Sequence, residues 1–183
     1  LLAVPLRDAG VPLIQDLNPD ELAGVSQNWG VTQDARGLVY VASMAGVLQY
    51  DGERWQKVKI TGDSAYAVAA DRRRGQVWAG GDATFGRIEP DSLGQLTYVP
   101  LETILPDSLR EFGAVSRFFP RVDGLYMVVD SGVAIIQADT LAAFHRARNV
   151  VQFAFDVTGT FYVWDFEVGL QTLEPEHGLV AVP

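Results

Sequence analysis

Four aspartates, Asp34, Asp71, Asp123 and Asp156, recur along the sequence, each within a few residues of a glycine: Gly37, Gly75, Gly124 and Gly159. Recurring carboxylates could hold calcium or share a proton in acid–base catalysis. A calcium loop needs several oxygen ligands at close spacing, however, and each of these carboxylates stands alone beside its glycine. Turn chemistry accounts for them better, because Asp accepts a hydrogen bond from the backbone two residues on and Gly supplies a positive φ. The two histidines, His145 and His177, have no second imidazole at ligand spacing, and a chain without cysteine has no thiolate ligand, no thiol nucleophile and no disulfide. No Gly-x-Ser-x-Gly elbow presents a serine nucleophile. Gly80, Gly81 and Gly86 lack the Lys-Ser/Thr and the following helix of a phosphate cradle. The sequence therefore shows no catalytic set, no metal site and no cofactor signature.

Two side-chain groups remain that could bind something. Arg72-Arg73-Arg74 is the one basic cluster and could meet an anion, but it falls in a turn between strands, where a solvated loop tip is the plainer reading. Trp29, Trp55, Trp78 and Trp164 offer aromatic faces to an amphipathic ligand, although their repeated positions argue for packing in most of them. With a formal charge of −9 over 183 residues, the chain repels a phosphate backbone, so nucleic acid is excluded as a partner. The longest apolar runs, such as Leu125–Val129, fall far short of the roughly 20 residues that span a bilayer, so this segment makes no membrane contact of its own. The sequence begins Leu1-Leu2-Ala3 without methionine, which leads us to expect that an upstream piece has been removed, a signal peptide among the options.

The elements that must position these residues come as a repeat: a short apolar strand, an Asp-to-Gly turn, a second strand, a Gly turn, a third strand and a fourth. The first copy runs through Trp29–Asp34, Leu38–Ser43, Val47–Gly52 and Trp55–Val58. Copies two to four have first strands near Tyr66, Val115 and Val151. The marker glycines Gly37, Gly75, Gly124 and Gly159 are spaced 38, 49 and 35 residues apart, which brackets the length of a propeller blade, about 40–50 residues. The apolar runs are strand-sized and rich in Val, Leu, Ile and aromatics. The expected fold is all-β, four four-stranded antiparallel β-propeller blades in one domain. Its divisions are a leader 1–25, blade one 26–62, blade two 63–100, an inter-blade insert 101–112, blade three 113–148 and blade four 149–183. Within the insert, Pro106-Asp107 before Ser108-Leu109 predicts a capped helical turn.

The stretch Gln27–Tyr40 with Gly46-Val47-Leu48-Gln49-Tyr50-Asp51-Gly52-Glu53-Arg54-Trp55 resembles the two-component regulator propeller repeat: an Asp and Gly turn, a short aromatic strand, a Gly-Val turn, and Tyr-Asp-Gly followed by Trp. The likeness is sharp in the first copy and weak in the third, which ends Ile136-Gln137-Ala138-Asp139 instead. It implies an extracytoplasmic propeller, periplasmic or extracellular, that senses a small-molecule or glycan ligand for a bacterial hybrid or one-component regulator. Further blades, output domains of the same protein, or a homodimer partner are implied alongside. Such propellers commonly exceed four blades, so an arc of a larger propeller is expected. A closed four-bladed ring, with Val11–Leu17 completing the last blade, is the alternative.

By analogy of fold, propellers place function at one end, around the central channel, where connections enter the innermost strands and where second strands turn into third strands. That rule selects Gln27, Asn28, Ser43, Asp82, Thr84, Phe112, Arg117, Asp130, Ser131, Asp165 and Glu167 as ligand-binding candidates, and no catalytic residue. The chain is read as a binding module rather than an enzyme. A protein-interaction scaffold would instead show a large exposed apolar patch and no pocket, and a propeller lyase or hydrolase would converge His, Glu or Tyr in the channel.

Overall fold

A computed structural model describes residues 27–174 and 176–182; the leader expected over 1–25 lies outside the described residues. Among the described residues, sixteen strands make four separate antiparallel sheets, each in sequence order. The first holds β1 (Asn28–Gln33), β2 (Val39–Ser43), β3 (Gly46–Tyr50) and β4 (Trp55–Val58), and the second β5 (Ala67–Asp71), β6 (Gln76–Gly80), β7 (Phe85–Pro90) and β8 (Leu96–Pro100). The third holds β9 (Val115–Pro120), β10 (Leu125–Val129), β11 (Gly132–Gln137) and β12 (Thr140–Arg146), and the fourth β13 (Val151–Val157), β14 (Thr160–Asp165), β15 (Gly169–Glu174) and β16 (Gly178–Ala181). The expected four four-stranded blades are thus present.

Three apolar seams hold the sheets face to face. Tyr40, Ala42, Val47 and Val58 of the first sheet meet Val77, Ala79 and Ile88 of the second. Trp78 and Phe85 of the second meet Val115, Phe118, Leu125, Met127 and Val129 of the third. Tyr126, Val128 and Val133 of the third meet Val151, Ala154, Phe161 and Val163 of the fourth. Side-chain alternation explains why Leu125–Val129 reads as one unbroken apolar run. Its odd-numbered residues enter one seam and its even-numbered residues the next, so both faces of β10 are buried.

The innermost strands stand side by side, β1 against β5 and β5 against β9, and β10 packs on β13. Among the described residues, no comparable packing joins the first sheet to the fourth. Two glycines permit close approaches, one within the first sheet and one between the second and third. Gly46 closes the β2–β3 turn at φ +103°, where a Cβ would lie 2.4 Å from the Val58 carbonyl oxygen. At Gly80 a Cβ would sit 2.7 Å from that of Val115, so the second and third sheets could not approach this closely with a larger residue there.

Between β8 and β9, the predicted helical turn is two short 3₁₀ turns, Glu102–Ile104 and Asp107–Leu109. It is not capped as expected: Pro106 precedes the second turn and no side chain accepts from its amides. Leu105 is buried, and Leu101, Ile104 and Leu109 pack against the seam between the second and third sheets. The insert is therefore a cover for that seam.

Candidate functional site

Antiparallel strands put all the turns of a sheet at its two ends. One end carries the turns from second to third strands and the connections that enter β5, β9 and β13, and the sequence-selected residues gather there. Gln27 and Asn28 are exposed at the start of β1, and the Gln27 carbonyl accepts from the Met44 amide. Asp82 is exposed and its backbone bridges to Ala114; Glu167 is exposed in the β14–β15 turn. Arg117 projects from β9 and is also exposed.

Four of the candidates, Ser43, Thr84, Phe112 and Asp165, are buried, although Phe112 reaches the wall of a cleft at this end. Ser43 is fully buried, its hydroxyl donating to the Gly46 carbonyl at 2.9 Å and accepting from the Ala45 amide at 3.2 Å, which closes the β2–β3 turn. Buried Thr84 bonds the Tyr98 hydroxyl at 2.8 Å and the Glu102 carboxylate. Phe112 is a core ring, edge-on to Phe85. Asp165 is fully buried and accepts from the Glu167 and Val168 amides and the Gln171 side chain, at 2.9, 2.6 and 3.0 Å. Burial pushes the Asp165 carboxyl up, but these donors more than offset it and hold the group below the ordinary carboxylate range. Asp130 and Ser131 are partly spent in the same way, on the Ala114 amide and the Phe112 carbonyl.

Two clefts open at this end. One, of about 290 Å³, lies between the starts of β1, β5 and β9, with Trp29, Tyr66, Ser116 and Arg117 on its walls. Trp29 and Tyr66 meet edge-on, centroids 4.9 Å apart and planes at 83°. The other, of about 430 Å³, joins Asp130 and Ser131 to Arg146, Arg148 and Asn149 across the seam between the third and fourth sheets. The structure thus brings Arg117 to one cleft and Asp130 and Ser131 to the other. Tyr66 and Ser116 were not singled out from the sequence, although both sit near the start of an innermost strand, as Trp29 does.

The opposite end is built from the recurrent aspartates. Asp34 accepts from the Arg36 and Leu38 amides at 2.9 and 3.1 Å and from the Arg36 guanidinium at 2.8 Å; Asp71 accepts from the Arg73 and Arg74 amides at 3.0 and 3.1 Å. These are the turn roles expected of them. Asp123 instead accepts from the Tyr126 hydroxyl at 2.8 Å, and burial first, then that bond and the Asp123 charge, push the phenol up to about 12.

The basic cluster is a solvent-exposed loop tip, as expected, and two of its arginines also reach neighbouring sheets. Arg72 donates to the Gln33 carbonyl of the first sheet at 3.0 Å, and Arg74 donates to the Arg121 and Val122 carbonyls of the third at 3.1 and 3.0 Å. Arg121 continues the series, reaching Asp156 at 2.6 Å and the Gly159 carbonyl at 3.0 Å in the fourth sheet. Arginines therefore lace all four sheets together at this end, and a cleft of about 450 Å³ beside Trp78 lies among them. Among the described residues, no group of three or more His, Asp or Glu side chains is placed to hold a metal ion.

No protein-family profile matches the chain, and no curated protein sequence matches it. Solved structures do match. An extracellular domain assigned to the hybrid two component system BT4673 of B. thetaiotaomicron aligns over 88% of this chain with a TM-score of 0.63 and 20% identity. The chain spans 22% of that neighbour's length. The WD40 β-propeller domain of Doa1 aligns over 85% of this chain and 60% of its own length, with a TM-score of 0.58 and 14% identity. The Nidogen/Laminin complex aligns over 86% of this chain and 65% of its own length, with a TM-score of 0.59 and 11% identity. Likeness at such identities establishes the fold alone, and together with the four separate sheets it makes the described chain a run of four β-propeller blades.

Proposed function

We propose that this chain is a segment of the extracytoplasmic, ligand-sensing propeller of a bacterial two-component or one-component signalling regulator, and that it acts by binding rather than by catalysis. The observation that carries this reading is the likeness of its blades to the extracellular domain assigned to a hybrid two component system, joined to the repeat wording of Gln27–Trp55. The ligand, a small molecule or a glycan fragment, binds at the channel end, where the two clefts lie. Among the described residues no helix is long and apolar enough to cross a membrane, so output requires a segment outside them.

The outer face of the fourth sheet supports an arc of a larger propeller. Phe153, Phe155 and Trp164 are exposed there, at 60, 46 and 41%, and Phe166 in the adjoining turn at 72%, whereas the seams between neighbouring blades bury such residues. The same face favours the second reading, a protein-interaction scaffold, since large exposed apolar patches mark contact surfaces. The coding sequence beyond Pro183 tests the choice. A membrane span leading to a kinase or DNA-binding segment is expected; a stop codon directly after Pro183 contradicts the sensor reading.

A further inference from the structure

The cleft between the starts of β1, β5 and β9 has an unusual charge. Arg117 is the one ionisable cation or carboxylate among the residues that line it, in a chain whose net charge is −9. Several other arginines are spent: Arg36, Arg74, Arg87, Arg110 and Arg121 pair with carboxylates. Among the described residues, no hydrogen bond or ion pair reaches the Arg117 guanidinium. An unpaired guanidinium in a concave site is a receptor for an anion, because its planar array of N–H donors matches a carboxylate in two parallel hydrogen bonds.

The second wall of the cleft is aromatic. Trp29 remains 40% exposed although it sits in a strand, and the edge-on contact with Tyr66 at 4.9 Å fixes the plane of its indole. A partly exposed, immobilised indole offers an apolar face to a ring at little cost in side-chain entropy. The volume, about 290 Å³, is at the small end of ligand pockets, which run from roughly 300 to 1,000 Å³. It suits one ring and its substituents. A phosphate dianion would call for more donors than one guanidinium, since phosphate sites usually add backbone amides of a helix N-terminus or a glycine-rich loop.

We infer that this cleft takes a small organic acid that carries a carboxylate on a ring, the carboxylate pairing with Arg117 and the ring lying against Trp29. The inference deepens the proposed function and rests on its placement of the ligand at the channel end. An acidic sugar and an aromatic acid share the required chemistry.

Calorimetric titration of the protein separates these sources, using glucuronate and benzoate, each beside its uncharged counterpart, glucose and benzyl alcohol, with acetate as a charge without a ring. At least one ring carboxylate is expected to bind with a dissociation constant below about 10 mM and roughly 10-fold or more tighter than acetate and than its own neutral counterpart. Arg117→Gln should weaken it by roughly 10- to 100-fold without lowering the melting temperature, since the guanidinium holds no partner among the described residues. Arg117→Lys, which keeps the charge but loses the fork, should fall between, and Trp29→Ala should weaken the ring acids but not acetate.

The inference is overturned if neither ring acid binds, if the neutral compounds bind as well, or if affinity survives Arg117→Gln. A membrane span and output segment encoded beyond Pro183 together with such a result would sink the ligand chemistry and leave the sensor reading standing. Binding as expected by a chain with no such segment would do the reverse.

Discussion

Asp34 shows how one side chain organises a whole turn. It is 8% exposed and serves two amides, the Arg36 guanidinium and the Tyr40 hydroxyl, the last at 3.3 Å. Burial pushes its carboxyl up, but the Arg36 hydrogen bond and the two amides more than offset this and hold it below its ordinary value of 3.8. The unfolded chain therefore takes up this proton more readily, so the stabilisation is complete at neutral pH. It is lost as the pH falls below about 4 through the lowered native value. Asp34→Ala leaves those donors without their acceptor and should cost on the order of 1–3 kcal/mol in denaturant unfolding at pH 7. The difference between wild type and variant should shrink as the pH falls below about 4 and through the lowered native value. This role was legible in the sequence because an Asp turn is local, its partners lying two to six residues away. The burial of Ser43, Thr84 and Asp165 was not, because it is imposed by strands and turns elsewhere, such as the one that carries Tyr98.

At the scale of the sheet, the seams carry the stability and their hydrophobic pattern was readable. β10 reads as a continuous apolar run because neighbours cover both its faces, whereas β13 keeps Phe153, Phe155 and Val157 exposed. Met127 is fully buried in the seam between the second and third sheets. Met127→Ala should destabilise the protein by about 2–5 kcal/mol, seen as a lower midpoint in urea with an unchanged slope. A loss under 1 kcal/mol would mean that this seam is not tightly packed. The two 3₁₀ turns escaped the sequence reading in two respects, the missing side-chain cap and their packing onto the same seam. Leu101, Ile104, Leu105 and Leu109 follow no strand or long-helix period, so nothing in their spacing says which surface they cover.

At the scale of the molecule, the blades form two unlike ends. One is laced by Arg72, Arg74 and Arg121 and by turn aspartates, and the other keeps Arg117, unpaired among the described residues, beside Trp29. That division suits a protein that must hold its blades in register while leaving one end free for a ligand. The existence and order of the blades could be read from the glycine spacing, because each blade is a local unit. Which residues converge on a cleft could not, because Trp29, Tyr66 and Arg117 come from three different blades and meet only once the sheets are packed.

The radial arrangement of separate sheets is what every functional statement depends on, and a crystallographic determination of strand pairing tests it most directly. Four closed hydrogen-bond ladders are predicted, with β1, β5 and β9 adjacent at the centre and no ladder joining β4 to β5, β8 to β9 or β12 to β13. A continuous ladder across any of those junctions, merging the quartets into one sandwich or barrel, would contradict the account.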